Sequence, residues 1–388
     1  MSDSKYPLIT TQDALVAMVK NMADSPYIAV DTEFHREKTY FPQLCLIQLA
    51  TDDYAAAVDP LTEGLDLTPL LELLLDKTQI KVFHAAKQDM EIFYNLTNHA
   101  LTPVFDTQVA AMALGYGDQI SYANLVQRLL SARLNKVHQL TDWTRRPLTP
   151  AQIAYAMDDV VYLRQIYKKI TQQLESKKRT HWIEEEQTRL FGPEAMAHDP
   201  ETLWQSVKCR DKGPRTVTAL RELAKWRDMK ARHFNRPRSF ILKDDALAAL
   251  AQQRPTSVEQ AREIRLIPKE FGNRWGEEIF PLMAKVNTMP DKDLLRLPKP
   301  DDTQGVENVA YGFASLYMRF KAADLKVVPR LLASADDLDR FLRGERDMPL
   351  GRGWRYEALG KDLEDLMAGK IALQIENGRL RTVHTDEN

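Results

Sequence analysis

The chain has 388 residues, 44% of them hydrophobic and 28% charged, which is typical of a soluble globular protein with two or three domains. It has no apolar run of about 18 residues, no secretory pattern at the N-terminus and only two cysteines, so we expect a cytoplasmic protein without membrane spans or disulfides. The net charge of −2 combines an acidic first half with a basic second half.

Residues 1–195 have the pattern of an α/β domain with a mixed sheet. Apolar residues at helical spacing predict a helix over Thr11–Met22. Strands that follow one another directly and then alternate with helices are typical of a mixed sheet covered by helices. The predicted strands are Tyr27–Glu33, Leu44–Ala50, Ala55–Val58 and Lys81–His84, and further helices are predicted at Leu70–Leu75, around Asp89–Leu96 and from Ala123 onward.

Two polar residues mark predicted helix starts in this domain. Asp106 precedes the apolar run Val109–Leu114, where we expect it to cap a helix rather than to bind a metal. A Thr-Pro-x-Gln pattern that begins at Thr149 resembles a capping box, and no Gly or Pro interrupts the residues after it. This predicts one continuous helix that includes Tyr155 and Asp159.

The pattern changes to helices alone after about residue 192. Residues 213–293 and 300–380 are predicted to form two all-α modules, because each contains a helix, an Asp-Asp segment and a later turn with Trp and glycines. The densest positive charge lies in residues 207–239, with 11 basic and 3 acidic residues. An acidic half joined to this basic half favours polyanion binding by the helical modules.

Four acidic residues lie where an unpaired carboxylate is unfavourable. Asp31 and Glu33 end an apolar strand two residues apart, so their side chains project to the same side. Asp89 and Asp159 lie on predicted helices, and Tyr155 precedes Asp159 by one helical turn on the same face. Burial of a lone carboxylate costs several kcal/mol, roughly, unless a cation or a proton neutralises it. Convergence of the four would therefore create a site for divalent cations.

The four acids and Tyr155 suit two-metal phosphoryl chemistry. Two Mg²⁺ or Mn²⁺ ions about 3.5–4 Å apart take several carboxylate oxygens as ligands, together with waters and substrate oxygens. One ion activates a water and the other stabilises the leaving 3′ oxygen. Tyr155, with an ordinary pKa of about 10, is suited to orient that water rather than to act as the main base.

Several stretches resemble a known family. They are D-T-E-F at Asp31–Phe34, R-x-x-T-Y-x-P-x-L-x-L-I-Q from Arg36 to Gln48, H-A-x-x-x-D at His84–Asp89 and Y-x-x-x-D at Tyr155–Asp159. These resemble the exonuclease motifs of the DEDD superfamily, and the tyrosine indicates its DEDDy branch. The D-W-x-x-R-P-L stretch at 142–148, together with helical modules that resemble HRDC domains, narrows the resemblance to the ribonuclease D family.

The resemblance implies a ribonuclease H-like exonuclease fold followed by two HRDC-like helical domains. It implies a 3′→5′ exoribonuclease that trims precursor tRNA and other structured RNAs and releases 5′-mononucleotides. Asp31 would bridge two divalent ions, Glu33 and Asp159 would complete the water-activating site, and Asp89 would serve the second ion. Asp158 departs from the family, which usually has a small or apolar residue there. We choose Asp159 because it keeps the spacing to the tyrosine, whereas Asp158 would face about 100° away on an ideal helix.

Contacts to RNA are predicted near the first motif and in the basic segment. Phe34 and Tyr40 are placed to stack on terminal nucleotides, although Tyr40 could equally fill the core under its loop. His84 ends a strand, where we expect it to form hydrogen bonds at the nucleotide site rather than to bind a metal. The predicted phosphate contacts, which should weaken with salt, are Arg215, Lys225 and Arg232.

Two alternatives remain open on the sequence alone. A DNA 3′→5′ exonuclease of the same superfamily is one of them, because the metal-site carboxylates do not distinguish the two sugars. A non-catalytic RNA-binding scaffold is the other, although the presence of all four acids and Tyr155 argues against it. We expect the chain to act as a monomer.

Overall fold

The computed structural model describes residues 5–135, 141–297 and 308–385. The described residues form two compact units, which we call unit 1 and unit 2. Unit 1 contains residues 5–34, 44–196 and 308–385, and unit 2 contains residues 35–43 and 197–297. None of the described helices combines the length and the apolar character that a membrane span requires.

A six-stranded sheet forms the centre of unit 1; its mixed character was predicted from the sequence, but its first and last strands in chain order were not. Its strands are β1 (Leu8–Ile9), β2 (Tyr27–His35), β3 (Gln43–Ala50), β4 (Ala55–Val58), β5 (Ile80–Phe83) and β6 (Val104–Asp106). The spatial order is β1-β4-β3-β2-β5-β6, with β3 and β4 antiparallel and the pairs β1–β4, β2–β5 and β5–β6 parallel. Because β2 pairs in register from Tyr27 with Ile80 to Ala29 with Val82, Asp31 and Glu33 lie toward its carboxyl end.

Helices pack on the sheet of unit 1, and two of them start at the predicted caps. They are α1 (Gln12–Met22), α2 (Thr68–Leu75), α3 (Lys87–Thr97), α4 (Thr107–Ala113), α5 (Tyr122–Leu130), α6 (Pro150–Ser176), α7 (Thr180–Phe191) and α8 (Pro193–Met196). Asp106 caps α4 by accepting a hydrogen bond from the Gln108 backbone N–H, which confirms the capping interpretation. Thr149 and Gln152 form a full capping box at the start of α6, which is one continuous helix as predicted.

Unit 2 is helical apart from residues 35–43. Its helices are α9 (Pro214–His233), α10 (Arg238–Ile241), α11 (Asp244–Gln253), α12 (Val258–Glu263) and α13 (Phe271–Thr288), preceded by a short 3₁₀ turn at Leu203–Ser206. Its core includes Leu223, Trp226, Leu247 and Ile279. Trp226 therefore packs in the interior, as its place on the apolar stripe of α9 predicts.

The described C-terminal residues share a core with the sheet domain. Their helices are α14 (Asn308–Leu325), α15 (Pro329–Leu332), α16 (Ala335–Leu342), α17 (Gly353–Arg355) and α18 (Lys361–Met367), with a 3₁₀ turn at Pro349–Gly351 and a π turn at Tyr356–Gly360. Trp354 stacks on Trp182 of α7 with ring centroids 4.5 Å apart, and Arg355 pairs with the buried Glu186 at 2.6 Å. This region therefore packs within unit 1; residues 300–307, where the second helical module was predicted to begin, lie outside the described residues.

The all-α prediction for this last region is wrong at its end. Residues after α18 form a hairpin of β7 (Ile371–Glu376) and β8 (Arg379–His384), paired in antiparallel register. Asn377 and Gly378 both have positive φ in the two-residue turn, which is the conformation that an Asn-Gly hairpin loop favours. The Asn-Gly pair was a usable signal that helical periodicity did not capture.

Candidate metal and nucleotide site

Strand β2 places two carboxylates at the edge of the core. Residues Tyr27–Val30 are buried, whereas Asp31 and Glu33 are half-buried with the buried Thr32 between them. Side chains two residues apart on a strand share a face, so both carboxylates are presented together. An apolar strand therefore anchors the backbone, and the acids lie where it approaches the surface.

Helix α6 brings the third carboxylate to this position. Its buried residues include Ile153, Met157 and Val160, which fix the orientation of the helix against the sheet. Oxygen atoms of Asp31, Glu33 and Asp159 all lie within 4.8 Å of one another. The structure thus brings together three of the four predicted acids from elements far apart in the sequence.

Asp158 lines the same cavity but does not belong to this group of three. It is half-buried, and burial raises the pKa of its carboxyl. Consecutive helical residues differ in direction by about 100°, so only one of the two aspartates points at the β2 carboxylates. The structure places Asp159 there, at the spacing to Tyr155 that the sequence analysis used.

Asp89 lies close to the group of three without being part of it. It occupies the first turn of α3 and is 7% exposed. Its carboxylate accepts a hydrogen bond from the hydroxyl of Thr32, the residue between Asp31 and Glu33 on β2. This contact ties α3 to the strand that carries the other acids.

The four carboxyl groups have raised pKa values. Burial, followed by the charges of Asp159, Asp89 and Glu33, raises the pKa of Asp31 well above its ordinary value. Burial and the charges of Asp159 and Asp89 raise the pKa of Glu33 to about 8. Burial is also the main cause for Asp89 and Asp159, each with a pKa of about 7. Because the ionised carboxylates repel one another, a cation that neutralises them lowers the free energy of the folded protein.

The donor set fits hard divalent cations. All the converging side-chain ligands are carboxylate oxygens, which Mg²⁺ and Mn²⁺ prefer, and the group contains no thiolate or imidazole. Three carboxylates carry more negative charge than one divalent ion neutralises. The residues of this chain therefore fit the metal centre that the sequence predicted.

Tyr155 lies beside the acids with its hydroxyl protonated at neutral pH. Burial and the charges of Asp159, Glu33 and Asp31 raise its pKa to about 12. Its ring packs on the buried Trp143 with centroids 6.3 Å apart and planes inclined by 30°. The hydroxyl of Tyr155 is therefore available as a hydrogen-bond donor at neutral pH.

A cavity of about 260 Å³ lies next to the carboxylates, lined in part by residues that sequence analysis missed. The missed residues include Ser121, Tyr122 and Asn135. The Tyr122 hydroxyl donates to the backbone carbonyl of Asp159, which fixes the turn of α6 that carries this acid. No motif links these residues to the acids; the only local signal was Ser121 as a helix cap ahead of an aromatic residue.

His84 lines this cavity, whereas Phe34 is not among its lining residues. Phe34 is half-buried and packs against the core beneath β2. The Nε2 of His84 donates to the Ile120 carbonyl at 3.1 Å and its Nδ1 lies 3.0 Å from the Thr107 hydroxyl, while burial lowers its pKa. His84 is thus a neutral ring that lines the cavity and has protein partners at both nitrogens.

The other four predicted RNA contacts lie in unit 2 and have protein partners there. Arg215 donates to the carbonyls of Val286 and Asn287 at the end of α13, and Lys225 pairs with Glu201 and Glu222. Tyr40 donates to Asp228, and the Arg232 guanidinium lies 5.7 Å from the Tyr40 ring centroid. Their proposed role in RNA contact therefore competes with interactions inside the protein.

Comparison with known proteins gives a consistent family. Residues 6–175 match the 3′-5′ exonuclease domain family, and residues 218–282 match the HRDC domain. The chain is 41% identical to ribonuclease D of Sphingobium indicum over 98% of this chain and 99% of that protein, and 40% identical to ribonuclease D of Jannaschia sp. over 97% and 98%. The crystal structure of Escherichia coli RNase D, described as an exoribonuclease involved in structured RNA processing, has 29% identity, a TM-score of 0.82 and covers 94% of this chain and 99% of its own.

Proposed function

Because this chain belongs to the ribonuclease D family of 3′-5′ exoribonucleases, we propose that it trims the 3′ ends of tRNA precursors and other structured RNAs, with two Mg²⁺ or Mn²⁺ ions at the acidic site. The observation that carries this proposal is the convergence of Asp31, Glu33 and Asp159 within 4.8 Å beside a cavity. A hydrolytic site of this kind has to neutralise both its own acids and an incoming phosphodiester.

In this proposal all four carboxylates contribute to metal binding. Asp31, Glu33 and Asp159, whose oxygens lie within 4.8 Å of one another, would hold the ions together, and Asp89 would add a further carboxylate from its place beside Thr32. When bound, the divalent ions supply positive charge that lowers the pKa of an attacking water and stabilises the leaving 3′ oxygen. The protein's own contribution is to hold four acids that repel one another in one place.

Tyr155 orients the attacking water in this proposal. Its hydroxyl keeps its proton at neutral pH because its pKa is about 12, so it donates a hydrogen bond to the water oxygen and leaves a lone pair of that oxygen aimed at the phosphorus. Packing on Trp143 limits the movement of the ring. Correct orientation of the nucleophile accelerates the reaction, because less entropy is then lost on reaching the transition state.

The cavity next to the acids is the proposed place of the terminal nucleoside. Asp158 adds a carboxylate to its wall, so an uncharged sugar and base suit this space better than a phosphate does. His84 adds an imidazole ring to the cavity wall, and Phe34 follows Glu33 on β2; both remain our proposed contacts to the nucleotide.

Unit 2 offers exposed cations for RNA phosphates. Lys208, Arg210 and Lys212 are exposed, and within the described residues no carboxylate lies in ion-pair distance of them. Arg221, Lys225 and Lys230 in the same basic segment do have carboxylate partners. We propose that the first three contribute more to RNA capture than the paired cations do.

The proposal is tested with a tRNA precursor that carries a short 3′ trailer. The full-length protein with Mg²⁺ should shorten the trailer stepwise and release 5′-mononucleotides, and EDTA should stop the reaction. A matched RNA with the trailer at its 5′ end should stay intact. Internal cleavage of either RNA, or trimming from the 5′ end, would contradict the proposal.

We also propose that the protein works as a monomer in the cytoplasm. Both cysteines, Cys45 and Cys209, are buried and in the thiol form, which suits a reducing compartment. Light scattering after size exclusion should give a mass near 44.5 kDa. A stable dimer mass would contradict the monomer proposal.

A further inference from the structure

Residues 35–43 belong to unit 2, although they connect two strands of the unit 1 sheet. The chain leaves β2 at His35 and enters β3 at Gln43, and the residues between them group with unit 2. Glu33 lies only two residues before this connection. The segment that follows the acidic end of β2 is therefore held by residues from elsewhere in the chain.

Asp228 of α9 is the centre of this attachment. Its Oδ1 accepts hydrogen bonds from the Tyr40 hydroxyl at 2.7 Å and from Arg238 Nε at 2.6 Å. Its Oδ2 lies 2.8 Å from Nε2 of His198. The side chain is 3% exposed, so its charge is almost fully desolvated and is compensated by these partners.

The Asp228 carboxyl is ionised in this environment. Burial alone would raise its pKa, but the Tyr40 hydrogen bond and the charge of Arg238 outweigh burial and hold the pKa below its ordinary value. Arg238 also donates to the Tyr40 oxygen at 3.1 Å and lies 5.5 Å from its ring centroid. Tyr40 is thus held at both its hydroxyl and its ring.

Asn235 holds the backbone of the same connection. Its side-chain Oδ1 accepts hydrogen bonds from the backbone N–H groups of Tyr40 at 3.1 Å and Phe41 at 3.0 Å. Asn235 has φ +47°, a left-handed conformation that Asn tolerates better than most residues, just after α9 ends. The residue type and its backbone conformation both suit this contact.

We propose that Asp228 and Asn235 are positioning residues for the metal centre, because they fix the connection that continues from the acidic end of β2. The inference rests on the proposed function of the acidic site. Metal ligands have to be held within about 0.5 Å of their working positions by the residues behind them. Loss of the attachment at Tyr40 would widen the distribution of backbone positions at the end of β2, and Glu33 is the ligand nearest to that end.

The test measures Mn²⁺ binding to the full-length protein by electron paramagnetic resonance, without RNA. Tyr40→Phe removes the hydroxyl bonded to Asp228 but keeps the ring, and Asn235→Gly removes the acceptor but tolerates the left-handed backbone. Each should weaken Mn²⁺ binding about 3- to 10-fold, below the 10–100-fold typical of direct partners of metal ligands. Asn235→Asp, which retains an acceptor oxygen, should restore binding to within about twofold of the wild type.

Glu278→Gln is the matched control in unit 2. Glu278 accepts from Trp226 and pairs with Lys230 on α9, and its partners lie outside residues 35–43. This variant should bind Mn²⁺ as the wild type does. Hydrogen exchange of residues 36–42 provides the second readout, and it should accelerate in Tyr40→Phe and Asn235→Gly alone.

Three outcomes would overturn the inference. One is faster exchange at residues 36–42 with wild-type Mn²⁺ affinity, since the connection would then be released without effect on the metal centre. Another is an equal loss of Mn²⁺ affinity in Glu278→Gln, which would reflect general destabilisation. The third is a rise in KM for RNA alone, which would make Tyr40 an RNA contact. Absence of hydrolysis in the wild type would contradict the proposed function but leave the Mn²⁺ comparison valid.

Discussion

The proposed role of Tyr155 in orienting the attacking water depends on the proton of its hydroxyl group. Its pKa of about 12 keeps the hydroxyl protonated, and Trp143 holds the ring. Tyr155→Phe keeps the ring packing and removes only the donor, so kcat on a short single-stranded RNA should fall about 100-fold while KM changes little. Steady-state kinetics at saturating Mg²⁺ measure both constants.

Tyr94→Phe on α3 is the control for this substitution, because Tyr94 lies outside the cavity lining. It should retain full activity. A Tyr155→Phe enzyme with wild-type kcat would show that the hydroxyl does not orient the attacking water.

The raised carboxyl pKa values predict a pH-dependent response to metal. In the metal-free protein Asp159 titrates at about 7 and Glu33 at about 8, well above their unfolded values. Their contribution to stability is therefore present at low pH and is lost as the pH rises to about 8. Protonated carboxyls bind Mg²⁺ poorly, so added Mg²⁺ should raise the melting temperature more at about pH 8.5 than at about pH 6. Equal shifts at the two pH values, measured by calorimetry, would contradict the account.

The acids of the site could be predicted from sequence, but most of their neighbours could not. Strand and helix periodicity is local, so the shared face of Asp31 and Glu33 and the turn between Tyr155 and Asp159 follow from spacing. Tyr122 meets Asp159 across 37 residues, a contact that no local pattern encodes. Likewise, the charge of Lys225 is visible in the sequence, but its partner Glu201 is not.

Element starts and strand positions were predictable for the same reason. Thr149 and Asp106 cap helices through their own next few residues, so the sequence contains both partners of each contact. The β7–β8 hairpin was missed because the amphipathic helices before it favoured a helical interpretation of the whole region. Its local signals were the Asn377-Gly378 turn and the strand-like alternation of Ile371, Leu373 and Ile375 before it.

Strand β5 contains a buried lysine that stabilises the adjoining loops. Lys81 is 0% exposed, and its Nζ donates to the carbonyls of Asp76, Gln79 and Thr102 at 2.5, 2.6 and 3.0 Å. These three acceptors match the three donors of an ammonium group. Lys81→Met would leave buried carbonyls without donors, so the free energy of unfolding should fall by about 2–4 kcal/mol.

Urea denaturation measures this loss, with Lys77→Met on the exposed turn before β5 as the control. The control should change stability by less than about 0.5 kcal/mol. Similar stability of Lys81→Met and the wild type would show that the three hydrogen bonds contribute nothing net.

The arrangement of the whole molecule departs from a simple order of domains along the chain. Residues 35–43 join unit 2, and the described C-terminal helices share a core with α6 and α7 of unit 1. Domain boundaries inferred from composition divide the chain into continuous segments. They therefore cannot show that residues 35–43 group with unit 2 or that the C-terminal helices group with unit 1. The boundaries at 195, 213, 293 and 300 therefore remain predictions about sequence modules rather than about compact units.

RNA capture is the property of the whole molecule that the charge distribution predicts. Replacing Lys208, Arg210 and Lys212 together with Gln removes three exposed cations that have no carboxylate partner in the part of the chain that the structure describes. The slope of log Kd against log salt for tRNA should then fall by about 2, at about 0.7 per lost phosphate contact. Fluorescence anisotropy over a salt series gives this slope.

The control replaces three cations that have carboxylate partners, Arg221, Lys225 and Lys230, with Gln. It removes the same charge, but these side chains already contact protein groups, so the slope should change less. An equal or larger change of the slope in the control would show that the cations with carboxylate partners, including Lys225, contact the phosphates.

Three single substitutions, compared on one labelled RNA, test whether Asp31, Glu33 and Asp159 form the centre that hydrolyses RNA from its 3′ end. Asp31→Asn and Asp159→Asn should each lower the rate of 5′-mononucleotide release roughly a thousandfold while the protein stays folded. Such a drop corresponds to a loss of several kcal/mol of transition-state stabilisation, roughly. Asp158→Asn should retain activity within about tenfold, and the wild type should prefer the RNA to its DNA equivalent. Loss of activity in Asp158→Asn with retention in Asp159→Asn, or faster release from DNA, would contradict the account.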